Sequence, residues 1–265
     1  MESLETAKIG FIGFGSIASA MADGLIKSGR VSAENLHACA GHFDALQART
    51  DARGMHAEPD AAALVDAVDL VIVAIKPDKL ESVLPPLAAK LANKPILSVA
   101  VNWGCSKYDA LLPGTRHIST LPNLSVSICE GVTVCEQTHT LTAEEHDLAL
   151  ELLSCLGVVA EVKTELLGAA GAVSGSGPAF IAMVIEALAD AAVKHGVPRA
   201  IAYKITSQMV AGTAKLQLET GALPAALKDA VCSPGGTTIQ GVTELEVAGV
   251  RAAFIRAIDA TEGHE

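Results

Sequence analysis

The sequence of 265 residues predicts an α/β protein, in which a doubly wound parallel sheet at the N-terminus is followed by an all-helical domain. Three observations lead to this fold class. Short apolar strand-like runs alternate with helix-like segments, a glycine-rich turn follows the first run, and beyond residue 163 long helices rich in alanine, leucine and isoleucine replace the strands. Strands joined by helices form right-handed βαβ units whose sheet is buried on both faces. We therefore expect two domains, residues 1–163 and 164–265.

The strands are recognised by β-branched and apolar runs, and the helices between them by apolar residues at helical spacing. The stretch KIGFIGFGSIASAMADGLIKSG indicates a strand, a tight turn and a helix that ends at Gly29. The further expected strands cover residues 36–41, 68–77, 95–101, 116–120 and 131–135. The helices expected between them cover residues 43–54, 61–68 and 80–91.

The long helix of the second domain has Pro178 in its first turn and Gly196 near its end, which are usual positions for these residues. Residues 179–193 are apolar on nearly every face, and a helix of this kind must be buried. The helical part of the chain is too small to form a thick core by itself. We therefore expect part of this surface to pack against a second subunit, the alternative being a helical bundle closed within one chain.

The composition argues against several kinds of partner. The formal net charge of −11 would repel phosphate backbones and anionic lipid, so we expect neither nucleic acid nor a membrane as a partner. The sequence has no run of about 18 apolar residues, and its acidic start does not resemble a signal peptide, which predicts a cytoplasmic protein. The six cysteines lack CxxC spacing and the eight histidines are scattered, so neither a disulfide framework nor a metal site is predicted.

The turn after the first strand has the pattern G-x-G-x-x-A, from Gly13 to Ala18. Gly13 permits a tight turn, Gly15 lets a pyrophosphate approach the backbone, and Ala18 lets the helix pack closely on the strand. Free N–H groups at the helix start, near Ser16 and Ile17, would bind the phosphates. The pattern therefore indicates a Rossmann-like dinucleotide-binding domain. A flavodoxin-like turn that binds another ligand, or none, is the alternative.

The end of the second strand bears on the choice of nucleotide. An NAD site usually has an Asp or Glu there that accepts a hydrogen bond from the ribose 2′-OH, whereas this chain has Cys39-Ala40-Gly41-His42. Without that carboxylate we expect NADPH to be preferred, with NADH possible. His42 and Arg49 are candidate neighbours of the 2′-phosphate, and a solvated loop position is the alternative for His42.

Lys76 and Pro77 end the third expected strand, at the carboxyl edge of the sheet where ligands bind in this architecture. Pro77 stops the strand, and Lys76 would lie beside the cofactor. A solvated lysine at a strand end is the alternative.

The stretch CSPGGTT interrupts the helical domain. Gly235 and Gly236, followed by Thr237 and Thr238 at a helix start, leave backbone N–H groups without intrahelical acceptors. With the positive end of the helix behind them, these groups suit a small carboxylate, and Ser233 adds a hydroxyl. We expect Gly236 to need a positive φ. An ordinary threonine N-cap is the alternative for the whole turn.

Three segments together resemble the pyrroline-5-carboxylate reductase family: IGFGSIASAM with VAIKP, GAVSGSGPAF, and LETGALPAALKDAVCSPGGTTIQGVTELE. The last is the most specific, and the resemblance extends over essentially the whole chain. It implies a Rossmann domain, an all-helical dimerisation domain and often a decamer built from dimers. It also implies the NAD(P)H-dependent reduction of the cyclic imine 1-pyrroline-5-carboxylate to L-proline, with hydride delivered to C5.

The resemblance also implies roles for individual residues. The turn from Ser233 to Thr237 would hold the substrate carboxylate, and Thr238, the candidate catalytic residue, would hydrogen-bond the ring nitrogen. The substrate-binding set is Ser233, Gly235, Gly236, Thr237 and Thr238. The cofactor-binding set is Gly13, Gly15, Ser16, Ile17, Ala74, Lys76, Pro77 and Asn123.

The chain departs from the family pattern on the cofactor side. The departures are Leu124 and Ser125 after the retained Pro122-Asn123 pair, Ser119 in place of an arginine, Val101 and Asn102 in place of an Ala-Gly pair, and Ala61 in place of an asparagine. They bear on the choice of cofactor and on the imine accepted.

Three other functions stay open at this point. An imine reductase of the same fold can act on another cyclic imine carboxylate, and a noncatalytic NADPH-binding dimer is also compatible with the motifs. A dehydrogenase of the β-hydroxyacid type would need a catalytic lysine on the long interdomain helix, but Lys194 lies at the far end of that helix.

Overall fold

The computed structural model describes residues 3–262 of the chain. It divides into two compact units, Met1–Gly175 and Ser176–Glu265. The N-terminal unit contains the sheet, and the C-terminal unit is helical in the residues described. The predicted fold class, a Rossmann-like doubly wound sheet followed by an all-helical domain, is confirmed. The boundary expected at residue 163 stays a prediction; the last strand ends just before it, at Val162.

Eight strands form one sheet within the described residues. They are β1 Ile9–Ile12, β2 Leu36–Cys39, β3 His56–Ala57, β4 Leu70–Val73, β5 Pro95–Ser98, β6 Arg116–Pro122, β7 Gly131–Glu136 and β8 Gly157–Val162. Their order is β3-β2-β1-β4-β5-β6-β7-β8, and neighbouring strands are parallel except β6 and β7. From β1 the chain adds β2 and β3 on one side and then β4 and β5 on the other side. Ligands of this fold bind at such a switch point in the strand order.

Both faces of the sheet are buried, as alternate residues of β4 show. Leu70 and Ile72 belong to one hydrophobic core, together with Met21. Val71 and Val73 belong to a second core. Because successive side chains of a strand point to opposite faces, each face has its own core, and each buried aliphatic side chain contributes about 1.5–3 kcal/mol to folding.

Helices cover the two faces of this sheet. They are α1 Ser16–Ser28, α2 Phe43–Asp51, α3 Ala61–Ala67, α4 Pro77–Val83, α5 Ala88–Leu91, α6 Cys105–Leu111, α7 Ala143–Ser154 and α8 Leu167–Gly171. Short 3₁₀ turns lie at Ala33–Asn35, Pro85–Leu87, Leu124–Ile128 and Thr164–Leu166. α1 ends as predicted at Gly29, whose φ of 70° is left-handed.

Three features differ from the sequence expectation. β3 and β8 are not predicted, because β3 has two residues and β8 is largely half-exposed. β6 and β7 are antiparallel because residues 123–130 alone join them, and a parallel pair needs a crossover of about a dozen residues or more. The helix expected over residues 80–91 is broken at Pro85 and Pro86, since proline cannot donate the helical hydrogen bond.

The C-terminal unit consists of five helices in the described residues: α9 Gly177–Lys194, α10 Arg199–Thr220, α11 Pro224–Ala230, α12 Thr237–Val247 and α13 Val250–Glu262. A π-helical segment, Ala172–Ser176, precedes α9. Pro178 lies in the first turn of α9, and Gly196, with φ 93°, follows its C-cap, as predicted.

Large apolar side chains of this unit are exposed in the single chain. Met183 is 68% exposed, Leu223 73% and Val247 80%. Among the described residues of α9, Ala189 alone is buried. A bundle closed within one chain would bury these side chains, which disfavours that alternative.

The helical stretch Thr164–Lys194 has the length and the mean hydropathy, 1.5, of a membrane-spanning helix, and 17% of its most apolar 18 residues are buried. This differs from the expectation that no apolar run is long enough, because the stretch contains isolated charged residues. An exposed apolar helix can face lipid or another protein surface.

Candidate functional site

The glycine turn joins β1 to α1 at the carboxyl edge of the sheet. Gly13 has φ 92°, and its N–H donates to the carbonyl oxygen of Cys39 at the end of β2, 2.9 Å away. On the other side, the N–H of Ala74 donates to the carbonyl oxygen of Ile12 over 2.8 Å. The turn is therefore held between the ends of β2 and β4. A Cβ atom on Gly13 would lie 2.7 Å from the carbonyl oxygen of Ala74, so the position requires glycine.

The start of α1 is open to a ligand. Gly15 is the N-cap, and no side chain among the described residues caps the helix there. Gly15 and Ser16 are exposed, Ile17 is half-buried, and a Cβ atom on Gly15 would meet no atom within 4 Å. The first N–H groups of a helix lack intrahelical acceptors and carry the positive end of its dipole. This helix start can accept a phosphate through its backbone.

Arg49 supports the turn. Its guanidinium donates to the carbonyl oxygen of Phe14 over 2.6 Å, contacts the Ser19 hydroxyl and lies 5.0 Å from the centre of the Phe14 ring. Arg49 therefore braces the glycine turn, and its place beside the 2′-phosphate stays a prediction. The sequence shows no signal for this contact, because it joins α2 to a turn far earlier in the chain.

The end of β2 carries no carboxylate, as the sequence shows. Gly41 and His42 are exposed, and His42 is the N-cap of α2. The nearest acidic residue along the neighbouring strand, Glu58, is paired with Nδ1 of His37 at 2.8 Å. One carboxylate oxygen of Glu58 is thus directed toward His37.

Ala74, Lys76 and Pro77 follow β4 at the same edge. Ala74 is half-buried and borders the glycine turn, as its carbonyl oxygen shows. Lys76 is exposed and is the N-cap of α4, and Pro77 is the first residue of that helix. The structure thus brings these three residues and Gly13 to one edge of the sheet, as the sequence predicts for a parallel fold.

Asn123 lies at the end of β6, with its side chain engaged in the backbone. Its amide Nδ2 donates to the carbonyl oxygen of Ser174 over 3.0 Å, and its Oδ1 accepts from the N–H of Val132 over 3.3 Å. The side chain is 9% exposed. The structure gives Asn123 a role in holding its own loop, and its contact with the cofactor stays a prediction.

The departures from the family pattern separate into exposed and buried ones. Val101 is 56% exposed and Leu124 58% exposed, and Asn102 between β5 and α6 has a left-handed φ of 60°. Ser119 is buried, and its hydroxyl donates to the carbonyl oxygen of Trp103 over 2.7 Å. Ser119 therefore fixes the loop that carries Val101 and Asn102, a link that sequence reasoning missed. Ala61 is the first residue of α3.

The glycine-rich turn of the C-terminal unit begins α12. Gly235 has φ 69°, and the N–H of Gly236 donates to the carbonyl oxygen of Ser233 over 3.0 Å. Ser233, Gly235, Thr237 and Thr238 are exposed and Gly236 is half-buried. The turn therefore presents its backbone and its hydroxyl groups to solvent.

The threonine N-cap, the alternative for this turn, is not found, and one expectation is corrected. The N-cap is Gly236, not a threonine, and no side chain among the described residues caps α12. Gly236 has φ −74°, so the positive φ belongs to Gly235 instead. A side chain at Gly236 would displace the Ser233 hydroxyl, which would lie 2.3 Å from a Cβ atom. The uncapped helix start leaves the N–H groups of the first turn available to an anion.

Comparison with known sequences identifies relatives over the whole chain. The family described as pyrroline-5-carboxylate reductase dimerisation matches residues 164–265, and the family described as NADP oxidoreductase coenzyme F420-dependent matches residues 8–102. Pyrroline-5-carboxylate reductase of Methanosarcina acetivorans is 42% identical over 257 residues, which cover 96% of this chain and 95% of the relative. Pyrroline-5-carboxylate reductase of Escherichia coli is 39% identical over 255 residues, 95% of this chain and 94% of the relative.

Solved structures agree with these relatives. A pyrroline-5-carboxylate reductase from Coxiella burnetii, 30% identical, has a TM-score of 0.86 and covers 98% of this chain and 97% of its own. Plasmodium falciparum pyrroline carboxylate reductase with NADP bound, 24% identical, has the same fold, with a TM-score of 0.88 and coverage of 98% and 97%. The match to a dimerisation family indicates a homo-oligomer. The resemblance found in the sequence is confirmed, and the chain belongs to the pyrroline-5-carboxylate reductase family.

Proposed function

We propose that this chain reduces 1-pyrroline-5-carboxylate to L-proline with NADPH. The observation that carries the proposal is the uncapped, glycine-led start of α12, in the stretch that most resembles the family. Relatives with this named activity are 39% to 42% identical over nearly the whole chain. The proposal needs a cofactor site in the N-terminal unit and an anion site in the turn before α12.

The residues of the glycine turn fit a dinucleotide. Gly15 leaves the space in which a pyrophosphate would approach the backbone, and the uncapped N–H groups of Ser16 and Ile17 are its donors. Gly13, Ala74, Lys76 and Pro77 border the same edge. When bound there, NADPH would supply the hydride, and the protein's contribution is to hold and orient it. Asn123 would act through the loop that it fixes.

NADPH is proposed as the preferred cofactor, and not NADH, because the end of β2 lacks a carboxylate. Gly41 and His42 leave this end exposed and carry no carboxylate themselves. The nearby carboxylate of Asp60 accepts from the N–H of Ala63 as the N-cap of α3. Glu58, the acidic side chain on the adjoining segment, is paired with His37. A ratio of NADPH to NADH oxidation rates above one would support this choice, and a higher rate with NADH would contradict it.

The turn before α12 is proposed to hold the substrate carboxylate. The backbone N–H groups of Thr237 and Thr238 and the hydroxyl of Ser233 lie close together along the chain and would donate to the carboxylate. Charge-assisted hydrogen bonds of this kind are the strong ones. Gly235 supplies the left-handed φ that turns the backbone toward the ligand. Thr238 would hydrogen-bond the ring nitrogen and so fix the face of the imine that is reduced.

The reduction requires few catalytic groups from the protein. Protonation of the imine nitrogen makes C5 electrophilic, so neither a nucleophile nor a metal is required for the reduction. Orientation of two bound reactants can contribute about 7–11 kcal/mol in favourable intramolecular reactions. Thr238 would orient the nitrogen and stabilise its N–H, but a neutral hydroxyl is too weak an acid to be the net proton source.

The exposed apolar surface of the C-terminal unit is proposed to form a homodimer, with dimers assembling into a decamer. The match to a dimerisation family favours a subunit interface, and not a membrane-spanning helix, for the apolar stretch Thr164–Lys194. Sedimentation at micromolar concentration without detergent should give a discrete oligomer of even subunit number. A monomer, or a species that needs detergent, would contradict the assignment. A cytoplasmic location stays a prediction.

The decisive experiment follows the near-ultraviolet absorbance of NADPH when the purified chain is mixed with pyrroline-5-carboxylate. Parallel reactions contain pyrroline-2-carboxylate or its six-membered analogue in place of that imine. Fastest oxidation with pyrroline-5-carboxylate would support the proposal. Faster oxidation with another imine would show that this other imine is the preferred substrate. No oxidation by a folded chain that binds NADPH would favour the noncatalytic dimer.

A further inference from the structure

A cluster of metal-ligating side chains lies outside the site described above, between α6 and β6. Cys105 is the first residue of α6, Asp109 follows one helical turn later, and His117 lies on β6. One donor atom from each lies within 4.8 Å of the others. We propose that Cys105, Asp109 and His117 bind a single divalent cation of the zinc type. The sequence predicts no metal site, because its cysteines lack CxxC spacing and its histidines are scattered. These three residues come together only in the fold.

The three side chains converge on one point. Sγ of Cys105 lies 3.5 Å from Nε2 of His117, Oδ1 of Asp109 lies 3.7 Å from the same nitrogen, and Oδ2 of Asp109 lies 3.9 Å from Sγ. Ligands at 2.0–2.3 Å from a tetrahedral zinc ion are about 3.3–3.6 Å apart. The distance between sulfur and nitrogen already has this value, and a rotation of the exposed Asp109 carboxylate would bring one of its oxygens toward both atoms.

The same contacts argue against a catalytic triad. In a triad the carboxylate holds the histidine nitrogen opposite to the one that faces the nucleophile. Here Asp109 and Cys105 both face Nε2, so the three groups meet at a point instead of forming a relay. Cys105 is also 3% exposed, which leaves no room for a substrate at its sulfur.

The hydrogen bonds around His117 show which nitrogen is free. Nδ1 lies 3.3 Å from the Thr115 hydroxyl and 3.2 Å from the Thr140 hydroxyl. The Thr115 hydroxyl donates to the carbonyl oxygen of Leu112, and that of Thr140 donates to the carbonyl oxygen of Thr115. Since both hydroxyls have used their hydrogen, they accept from Nδ1–H, and Nε2 carries the lone pair.

That lone pair faces other electron-rich atoms. Besides the thiol and the carboxylate, Nε2 lies 3.3 Å from the carbonyl oxygen of Cys105. His117 is fully buried. Without a cation the Cys105 thiol can donate to Nε2, and a cation bound between these atoms would replace that hydrogen bond by coordination. The hydroxyls on Nδ1 are the outer partners that metal-bound histidines usually have.

The surrounding charge favours a cation. Glu136 is fully buried beside Cys105, where its Oε2 accepts the N–H of Cys105 over 2.8 Å and its Oε1 accepts the Thr164 hydroxyl over 2.7 Å. Because a metal binds the thiolate, binding would release the thiol proton. The Asp109 side chain is 53% exposed and leaves a path for entry and a water as fourth ligand.

The test titrates Co²⁺ into the chelator-treated full chain under reducing conditions. We expect one equivalent to bind, with a thiolate-to-cobalt charge-transfer band, and one equivalent of Zn²⁺ to displace it. Cys105→Ser should abolish the band, and Asp109→Asn should weaken binding at least tenfold. Cys155→Ser, a half-exposed cysteine elsewhere in the same unit, should keep both.

The outcome separates this proposal from the reductase proposal. Asp109→Asn changes an exposed side chain, so the variant should fold and should reduce the imine at the unaltered rate. The site is rejected if no stoichiometric binding occurs, or if Cys105→Ser retains the band. In either case the cluster is a thiol-to-imidazole hydrogen bond only.

Discussion

The carbonyl oxygen of Ala74 occupies the space that a side chain on Gly13 would need, since a Cβ atom there would lie 2.7 Å from it. Through this contact the end of β4 fixes the backbone path of the glycine turn. Gly13 has φ 92°, a conformation that a residue with a side chain adopts at a cost of about 1–2 kcal/mol. The turn that presents helix α1 to a ligand is thus set by sterics and by backbone conformation together.

Gly13→Ala is expected to destabilise the fold and to weaken NADPH binding by on the order of tenfold or more, because the turn must move away from β4. Gly29→Ala is the matched control, since Gly29 also has a left-handed φ, 70°, but a Cβ atom there meets nothing within 4 Å. Calorimetric titration of both variants with NADPH gives the comparison. Equal affinities would show that the contact with Ala74 does not shape the cofactor site.

Thr238→Ala should lower kcat by about 2- to 13-fold, the equivalent of one neutral hydrogen bond of 0.5–1.5 kcal/mol at the reacting nitrogen. Thr243→Ala on the same helix is the control, because the Thr243 hydroxyl bonds to the carbonyl oxygen of Ile239 instead. Steady-state kinetics with pyrroline-5-carboxylate provides the measurement. If kcat and KM of Thr238→Ala match those of the wild type, the hydroxyl does not contact the imine.

Gly236→Ala should raise KM for the imine on the order of tenfold, because the new methyl group displaces the Ser233 hydroxyl and removes a charge-assisted hydrogen bond to the carboxylate. The φ of −74° at Gly236 means that backbone strain adds nothing to this effect. Gly241→Ala lies in α12 where a Cβ atom meets nothing within 4 Å, and it should leave KM unchanged. If both variants have the same KM, the turn before α12 does not bind the substrate carboxylate.

The chain should lose stability as pH rises above about 9, on account of its buried thiols. Burial raises the pKa of Cys39 from 9.0 to about 11 and that of Cys135 from 9.0 to about 12. Between pH 9 and 11 the unfolded Cys39 thiol loses its proton while the folded one keeps it, so unfolding becomes easier by up to about 3 kcal/mol.

Urea unfolding at pH 8 and pH 10.5 measures this loss for each variant. Cys39→Ala should show a smaller loss of unfolding free energy between the two pH values than the wild type does. Cys232→Ala, which removes a half-exposed thiol, serves as the control. An unchanged pH dependence in Cys39→Ala would contradict the assignment.

Met183→Glu should dissociate the proposed dimer, because it places a charge on an apolar helix face that is 68% exposed in the single chain. Phe43→Glu, at an exposed apolar position of the N-terminal unit, should not. Sedimentation velocity distinguishes the species. A Met183→Glu variant that keeps the wild-type oligomer would place the interface on another face.

The sequence by itself determined the two-part fold, the glycine turn and the turn before α12. These depend on local rules: alternation of apolar runs with helical spacing predicts a parallel sheet, and the positions of Gly13, Gly15, Gly235 and Gly236 follow from backbone geometry. The family resemblance depends on the same stretches, and the relatives confirm it. The open end of β2 was also visible in Ala40, Gly41 and His42.

The tertiary structure alone decided what joins residues far apart in the chain. It placed the Arg49 guanidinium on Phe14 and buried Ser119 beneath the loop that carries Trp103. It also brought His117 to Cys105. These outcomes depend on packing and on hydrogen bonds between distant segments, and hydrophobic periodicity along a single stretch does not encode them.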